Sequence, residues 1–225
     1  MRGYHTINNN KKNIPQATIH RLSICHRCLE LFAETEKGRK LKTISSSGIS
    51  EITGINSHQI RKDLAYFGKF GRRGTGYPVH DLINILKSIL GSSQKRDIVL
   101  VGAGNIGKAL IRYRGFQKRG FTIKGIFDNN QSKIGKKIGN IEISDIKIIE
   151  SFIRRRNIKI GIITVPADAA QEVANHMIAG GIKSILNFAP ITLKYPHYVK
   201  VNTIDISVEL ERLVYFLSSG PRVND

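Results

Sequence analysis

The sequence predicts a helical amino-terminal head followed by an α/β domain. Between residues 15 and 91, apolar residues recur every three or four positions, which is the spacing of amphipathic helices. Beyond residue 96, short runs rich in Ile and Val alternate with helical segments, which is typical of βαβ units around a parallel sheet. The polar break Gly91-Ser92-Ser93-Gln94-Lys95 separates the two patterns, and we place the domain boundary there.

Length and charge narrow the classes of protein. The 225 residues are 40% apolar, which is enough for a buried core, and the formal net charge of +19 favours a polyanionic partner, either nucleic acid or an anionic membrane surface. Richness in Ile, Lys and Asn can also raise the charge without any nucleic-acid function. No apolar run reaches the roughly 20 residues of a membrane-spanning helix, and no signal-peptide core follows Met1. We therefore expect a soluble cytoplasmic protein.

The head is predicted to be mostly helical. Residues 1–14 show no apolar period and are assigned to a flexible basic arm, and the head occupies residues 15–91. Its first helix runs from Ala17 to about Glu36 and is closed by Gly38. Three further helices are predicted over Ser47–Thr53, Ser57–Phe67 and Val79–Leu90, with a glycine-rich hairpin or loop from Lys69 to Tyr77.

The second domain, residues 92–204, is predicted to hold a parallel sheet. The strands are expected at Asp97–Val101, Thr122–Asp128, Glu142-Ile143, Lys159–Val165 and Ser184–Asn187. Helices are expected to begin near Asn105, Ile146 and Ala167. Residues 205–225 form a terminal segment whose helix, Ile206–Leu217, is apolar on more than one side and therefore needs a partner.

A glycine motif predicts a dinucleotide site. Gly102, Ala103, Gly104, Asn105, Ile106 and Gly107 have the G-x-G-x-x-G spacing between an apolar strand and a helix. The first glycine permits a tight turn, Gly104 lets pyrophosphate approach, and Gly107 lets helix and strand pack closely. The next strand ends at Asp128, whose carboxylate can accept both ribose hydroxyls and repels a 2′-phosphate. We therefore predict a Rossmann domain that binds NAD(H) in preference to NADP(H). Lys133, Lys136 and Lys137 are expected on a solvated face, and the alternative is that one of them neutralises an extra phosphate.

Residues 47–67 have the pattern of a helix-turn-helix, with Ser50 where the helices cross and Gly54 in the turn. Asn56 and Gln59 are predicted to form a capping box that starts the second helix. The predicted DNA-binding residues are the outward positions of that helix and the basic residues of a following wing: Ser57, His58, Gln59, Arg61, Lys62, Lys69, Arg72 and Arg73. A four-helix bundle with a solvated basic face is the alternative.

The sequence offers no convincing catalytic or metal site. A dehydrogenase needs a proton donor beside the nicotinamide and a region that encloses substrate, and His176 and His197 are poor candidates. The segment Cys25-His26-Arg27-Cys28 lacks the second pair of ligands of a closed zinc site, so we expect Cys25 to be a packed thiol. We therefore expect no metal and no enzyme activity, and a cofactor that is sensed.

Taken together, the two halves resemble the Rex family of redox-sensing transcriptional repressors. The resemblance runs from Pro15 to Leu217 and is specific in its motifs. The matching segments are Gln59-Ile60-Arg61-Lys62-Asp63-Leu64, Tyr66-Phe67-Gly68, Gly74-Thr75-Gly76-Tyr77, Val101–Gly107, Phe127-Asp128, Thr164-Val165-Pro166, Asn187-Phe188-Ala189-Pro190, and Asp205 before the last helix.

The resemblance implies a homodimer with exchanged carboxy-terminal helices, a winged helix on each chain, and NAD(H) held by the matching segments of the Rossmann domain. It implies that NADH closes the dimer and releases a pseudo-palindromic, A/T-rich operator, whereas NAD⁺ or no ligand permits DNA binding. The residues matching the family's switch are Arg27 and Tyr113, which exchange bonds with the partner's Asp205.

Three positions depart from the family pattern. Asn130 stands where members often carry a second aspartate, Ile206 where some carry Phe against the nicotinamide, and Arg114 where proline is common. Two alternative functions stay open, and these departures support the first. One is a Rex-like repressor that no longer responds to redox state, and the other is a small NAD-dependent oxidoreductase with a basic amino-terminal appendage.

Overall fold

The computed structural model describes residues 14–71 and 74–219, and the chain divides into two units, residues 1–94 and 95–225. The predicted basic arm, apart from Ile14, lies outside the described residues, as do Arg72 and Arg73. The described part contains no helix that is long and apolar enough to cross a membrane.

Helices dominate the first unit. They are α1 (Gln16–Glu34), α2 (Glu36–Lys40), α3 (Ser46–Thr53), α4 (Ser57–Ala65) and α5 (Val79–Ile89), and two short strands, β1 (Thr43–Ile44) and β2 (Tyr77–Pro78), pair antiparallel. α1 packs against α3, α4 and α5. Apolar residues at the helical period form this core, and Leu22, Leu29, Ile49 and Ile60, which the period predicts, are each no more than 1% exposed.

The predicted end of the first helix at Gly38 is wrong. α1 ends at Glu34, and Gly38 lies inside α2, whose amino terminus is capped by the hydroxyl of Thr35 accepting from the Gly38 backbone N–H at 3.1 Å. A Cβ on Gly38 would lie 1.9 Å from the carbonyl oxygen of Phe32. Gly38 is therefore required by close packing of α2 on the end of α1, and not by a left-handed cap.

A sheet forms the centre of the second unit. Its strands are β3 (Arg96–Val101), β4 (Phe121–Asp128), β5 (Lys137–Ile138), β6 (Ile141–Asp145), β7 (Ile160–Ile163), β8 (Ser184–Asn187) and β9 (Lys200–Thr203), in the order β5-β6-β4-β3-β7-β8-β9. Within residues 95–219, β5 is antiparallel to β6 and the other neighbouring pairs are parallel. The strands expected from the sequence are present, whereas β5 and β9 were not expected.

Helices cover both faces of this sheet. They are α6 (Asn105–Arg112), α7 (Gly115–Lys118), α8 (Ile149–Arg156) and α9 (Ala167–Gly180), with a 3₁₀ turn at Ile146–Ile148. Along β3, Val99 and Val101 belong to the core that contains residues of α8 and α9, whereas Ile98 and Leu100 belong to the core packed against Leu110 and Phe116. The alternation along one strand therefore produces a layer of apolar packing on each face.

The terminal helix α10 (Ile206–Ser219) follows the last strand. Its large apolar side chains are exposed in the isolated chain, namely Ile206, Val208, Leu210, Leu213, Val214, Tyr215, Phe216 and Leu217. Their exposed fractions run from 47% to 84%, so α10 presents apolar surface in several directions.

Candidate functional site

The glycine loop lies at the carboxyl edge of the sheet, between β3 and α6. Gly102 has a φ of 103°, and a Cβ there would lie 2.5 Å from the carbonyl oxygen of Thr164. A Cβ on Gly107 would lie 1.9 Å from the carbonyl oxygen of Gly102. These two glycines are thus required by the protein's own packing, as the motif predicts.

Gly104 is different, because no atom beyond its two chain neighbours lies within 4 Å of the position its Cβ would take, and its φ is −80°. The fold itself therefore does not demand glycine here. A side chain at this position would occupy open space in front of the amino terminus of α6, where Asn105 and Ile106 are exposed. Backbone N–H groups in the first turn of a helix lack helical partners and attract anions, so this space suits a phosphate group.

Asp128, the last residue of β4, is hydrogen-bonded to the glycine loop. Its Oδ2 accepts from the backbone N–H of Ala103 at 2.8 Å, and its Oδ1 accepts from the backbone N–H of Asn130 at 2.9 Å. Lys133 donates from Nζ to Oδ2 at 2.9 Å. Burial alone raises the pKa of Asp128, but the bonds from Lys133, Asn130 and Ala103 outweigh it, and the pKa lies below its ordinary value. The carboxylate is therefore ionised at neutral pH.

The pairing with Lys133 corrects the sequence analysis, which placed this lysine on a solvated face. Its ammonium is held against the carboxylate, with a side-chain exposure of 34%. A carboxylate has about four lone-pair positions. Contacts within the described residues occupy three of them on Asp128, so one is left to accept a ribose hydroxyl. Apart from their separation by five residues, no local pattern predicts that Lys133 and Asp128 bond.

Thr164 and Asn187 hold the neighbouring strand ends. The hydroxyl of Thr164, just after β7, lies 3.0 Å from the carbonyl oxygen of Val101 and 2.8 Å from that of Gly102. Asn187, at the end of β8, is 0% exposed, accepts from the backbone N–H of Ala189 at 3.0 Å and donates to its carbonyl oxygen at 2.9 Å. Both side chains therefore fix loops, rather than facing open space.

The predicted cofactor residues thus lie at one edge of one sheet. Because β3, β4, β7 and β8 are parallel, the glycine loop, Asp128 and the residue ranges 164–166 and 187–190 follow the carboxyl ends of neighbouring strands. The chain passes from β3 to β4 on one side and returns to β7 on the other, and ligands of such sheets bind where the order reverses. Val165 and Phe188 are half-buried, and Pro166 and Pro190 are exposed.

The three predicted switch residues belong to different elements. Arg27 is exposed on α1 of the first unit. Tyr113 follows α6, is 48% exposed, and packs edge-on against Phe116 with ring centroids 5.3 Å apart. Asp205 precedes α10 and accepts from the backbone N–H of Ser207 at 2.9 Å. It also lines a cavity of about 240 Å³ together with Pro190 and Thr203.

The helix-turn-helix of the first unit is present over α3 and α4. Gly54, with a φ of 71°, ends α3 in the left-handed conformation, as predicted for the turn. Ile60 and Leu64 of α4 face the core, whereas His58, Arg61 and Lys62 are exposed and Ser57 is half-buried. Arg61 donates from Nη1 to the hydroxyl of Ser46 at 2.7 Å, so its guanidinium lies beside the first turn of α3.

The predicted capping box is wrong. The side chain of Asn56 caps α4 by accepting from the backbone N–H of His58 at 2.8 Å, but Gln59 does not reach back to Asn56. Gln59 donates to Oδ1 of Asp63 at 2.8 Å instead, because that buried carboxylate, one turn further along α4, requires donors. Gln59 is therefore occupied by an internal bond in the isolated chain.

Of the predicted wing, Lys69 is exposed and Tyr77 is half-buried, with burial raising the pKa of its hydroxyl. A cavity of about 450 Å³ separates α4 from this segment, lined among others by Arg61, Lys69 and Tyr77. The described part of the predicted wing therefore contains one cation, Lys69, which lines the same cavity as Arg61 of α4.

Cys25 is 3% exposed within the core, and its pKa is raised to about 11 by burial, as expected of a packed thiol. Among residues 14–71 and 74–219, no group of three His, Cys, Asp or Glu side chains is placed to hold a metal ion.

Comparison with known proteins gives matches to both units. The family model described as "CoA binding domain" matches residues 93–191, and the model described as "Putative DNA-binding protein N-terminus" matches residues 13–65. A redox-sensing transcriptional repressor Rex from Desulforamulus reducens is 48% identical over 205 residues, which cover 91% of this chain and 96% of that protein.

Two solved structures of the Rex-family repressor RSP are similar over nearly the whole chain. The complex with β-NAD⁺ and operator DNA has a TM-score of 0.85 at 41% identity, covering 93% of this chain and 94% of that one. The complex with β-NADH has a TM-score of 0.83 at 40% identity, covering 93% and 96%.

Proposed function

The chain belongs to the Rex family of redox-sensing transcriptional repressors, and we propose that its first unit binds operator DNA while its second unit senses NADH and NAD⁺. The observation that carries this function is the similarity, over 93% of the chain, to a repressor solved with both β-NAD⁺ and operator DNA.

The glycine loop fits a dinucleotide. Gly104 leaves the space that a pyrophosphate needs, and Asp128 has one acceptor position left for a ribose hydroxyl. Asn187 holds the segment that follows β8, which carries Phe188, Ala189 and Pro190 to the same edge. The nicotinamide ring supplies the redox difference, because its oxidised form carries a positive charge that the reduced form lacks. The protein's part is to orient this ring beside groups that respond to the charge.

For cofactor binding to change DNA binding, the protein needs two arrangements and a group whose bonds differ between them. Asp205 is suited to this, because it begins α10 and lines the cavity next to Pro190. We propose that Arg27 and Tyr113 exchange bonds with the partner's Asp205. Charge-assisted bonds contribute about 1.5–3 kcal/mol each, and the equilibrium shifts by the difference between the bond broken and the bond formed. A difference of about 1.4 kcal/mol is a tenfold shift.

On the first unit, α4 is the recognition helix. His58, Arg61 and Lys62 are its exposed donors, with Ser57 at its first turn and Lys69 on the wing. Gln59 contributes to DNA binding through its bond to Asp63, which is the main change from the sequence assignment. Arg72 and Arg73 keep their predicted role in the wing, as contacts to the phosphate backbone or to a narrow minor groove.

The exposed apolar side chains of α10 support a homodimer. A contiguous apolar surface of this kind marks an interaction site, and a second copy offers an identical helix. Two identical heads then match a pseudo-palindromic, A/T-rich operator. Sedimentation velocity tests this proposal. Leu213→Glu should convert a dimer to a monomer while the control Glu211→Gln stays dimeric, and a dimeric Leu213→Glu protein rejects the α10 interface.

We infer that the protein senses its cofactor without turning over a substrate, in the cytoplasm where it reaches chromosomal DNA. Rex homologues are named repressors. His176, one of the two histidines considered for proton transfer, is paired with Glu150 between α9 and α8 at 2.7 Å. This pairing gives His176 a structural role.

The function is tested by fluorescence anisotropy on a pseudo-palindromic operator at fixed salt. NADH should release the DNA at concentrations where NAD⁺ does not, and CoA, the ligand named in one matching family model, should have no effect. DNA binding that is indifferent to NADH and NAD⁺ supports a repressor that has lost its redox response. No preference for operator over random DNA, together with NADH oxidation in the presence of a keto acid, favours an oxidoreductase.

A further inference from the structure

The recognition helix and wing do not account for the charge of this protein. Residues 95–225 contain 21 Lys and Arg against 11 Asp and Glu, a net charge of +10, so over half of the +19 lies on the second unit. A dinucleotide pyrophosphate needs two positive charges at most. The rest of the positive charge on residues 95–225 is therefore available to a second polyanionic partner.

Part of this charge forms a row across the sheet. Lys159 precedes β7, Lys183 precedes β8, and Lys200 begins β9. The backbone N–H of Lys183 donates to the carbonyl of Lys159, and that of Lys200 donates to the carbonyl of Lys183, each at 2.9 Å. The three lysines are thus neighbours on adjacent strands, which lie about 4.8 Å apart.

Three arginines extend the row. α8 ends in Arg154-Arg155-Arg156 just before β7 begins. Arg154 donates to the carbonyl of Ala179 at 3.3 Å, and Lys159 lies 3.5 Å from the carbonyl of Gly181, so both reach the end of α9. We call the six residues Arg154, Arg155, Arg156, Lys159, Lys183 and Lys200 the basic edge, and all six are exposed.

The basic edge is not neutralised by the chain's own acids. Within the part of the chain that the structure describes, none of its side chains forms an ion pair with a carboxylate. Arg156 lies over the ring of Phe152 at 4.8 Å, and Lys183 over that of Tyr198 at 4.2 Å. Neutral partners position these cations without removing their mutual repulsion, so an added polyanion is stabilising.

We propose that the basic edge is a second DNA-binding surface, which contacts the phosphate backbone of duplex DNA without reading its sequence. The proposal rests on the proposed function, because a repressor meets duplex DNA whenever it binds an operator. DNA presents one negative charge per roughly 1.7 Å of axis, which suits a row of closely spaced cations.

The basic edge and the glycine loop lie at opposite ends of the sheet strands. The basic edge lies at the amino ends of parallel strands, whereas the glycine loop lies at their carboxyl ends. A dinucleotide and DNA therefore do not compete for it. NADH that releases the operator leaves this contact available, and the released protein stays associated with random DNA.

The test uses the full-length protein saturated with NADH, a random-sequence duplex, and a series of salt concentrations. The variant Lys159→Gln/Lys183→Gln/Lys200→Gln is compared with Lys124→Gln/Lys136→Gln/Lys147→Gln, which removes the same charge from exposed positions of the same unit. The plot of log K, where K is the association constant for DNA, against log salt concentration has a negative slope. In the first variant its magnitude should decrease by about 0.9 for each lost phosphate contact, and in the second by clearly less. Equal slopes in the two variants overturn the proposal.

Two further arms separate the alternatives. Vesicles with anionic headgroups are titrated in parallel. If Lys159→Gln/Lys183→Gln/Lys200→Gln loses vesicle binding but keeps the wild-type salt dependence of DNA binding, the basic edge binds a membrane and the proposal is overturned. Without NADH, the wild-type preference for operator over random duplex is measured as well. Loss of that preference rejects the proposed function but leaves the comparison of slopes intact.

Discussion

Arg21 of α1 holds Asp63 of α4 through two hydrogen bonds, from Nε to Oδ2 at 2.6 Å and from Nη2 to Oδ1 at 2.8 Å. Thr18 and Gln59 donate to the same carboxylate at 3.0 and 2.8 Å. Asp63 is 1% exposed, so this pairing fixes α4 on α1 from the buried side. The orientation of the side chains that we propose bind DNA therefore depends on a residue that faces the core.

Asp63→Asn should destabilise the first unit by about 3 kcal/mol, because it leaves the Arg21 guanidinium without a buried counter-charge. Operator affinity should fall as well, since α4 loses its anchor. Urea unfolding and operator titration measure the two effects, with the exposed Asp81→Asn as the control. An Asp63→Asn protein with wild-type stability contradicts this account.

Acid should destabilise the protein through the same carboxylate. Burial raises the pKa of Asp63, but the bonds from Arg21, Gln59 and Thr18 outweigh it, so the folded pKa is depressed. A depressed folded pKa contributes stability that is complete above the unfolded value of about 3.9 and is lost as the pH falls toward the folded value. The free energy of unfolding should therefore decrease below about pH 4, and less steeply in Asp63→Asn. If the free energy of unfolding falls equally steeply with pH in the wild type and in Asp63→Asn, the pKa of Asp63 is not depressed.

Arg61→Ala and Lys62→Ala should each weaken operator binding without unfolding the protein. A good base contact contributes about 1–3 kcal/mol, whereas a phosphate contact weakens binding to all sequences and lowers the salt dependence. Anisotropy on operator and random duplexes distinguishes the two roles, with Lys87→Ala on α5 as the control. Unchanged operator affinity in both variants rejects the recognition-helix assignment.

Gly104 and Gly107 should respond differently to a side chain. Gly104→Val meets no atom beyond its two chain neighbours within 4 Å of its Cβ, so the fold should survive while NADH binding is lost. Gly107→Ala places a Cβ 1.9 Å from the Gly102 carbonyl oxygen and should destabilise the second unit itself. Calorimetric titration with NADH and thermal unfolding separate the outcomes. Normal NADH binding by Gly104→Val removes the phosphate-loop interpretation.

Lys133→Gln should increase the preference for NADH over NADPH. The ammonium that pairs with Asp128 offsets part of the repulsion between that carboxylate and a 2′-phosphate, so its removal penalises NADPH more. The ratio of the two dissociation constants measures this effect, with Lys136→Gln as the matched control. A ratio that stays constant assigns Lys133 a purely structural role.

Asp205→Ala should uncouple the two activities. The side chain lies at the start of α10 and not on the glycine loop, so NADH should still bind while its effect on operator release is reduced about tenfold or more. Parallel titrations of NADH binding and DNA release test this expectation. A variant that releases DNA normally shows that the switch does not use Asp205.

Local chemistry made much of this protein predictable from its sequence. Helical periods placed the core of the first unit, the glycine spacing placed the loop after β3, and Asn56 and Gly54 marked the ends of α4 and α3. Each of these features depends on residues within a turn or two along the chain. The exposed apolar face of α10 was likewise visible in its composition alone.

Tertiary structure decided what depends on distant residues. Arg21 and Asp63 are separated by 42 positions, and Ala103 and Asp128 by 25, so no local pattern shows that they bond. The same reason explains the three corrections, because Gly38 is required by packing against Phe32, Gln59 bonds to the buried Asp63, and Lys133 pairs with Asp128. Sequence thus determined which segments fold and which loop can hold a phosphate. Only the tertiary structure determined which side chains remain available to a ligand. A buried charged group must be hydrogen-bonded, so it occupies donors that would otherwise be free to bind a ligand.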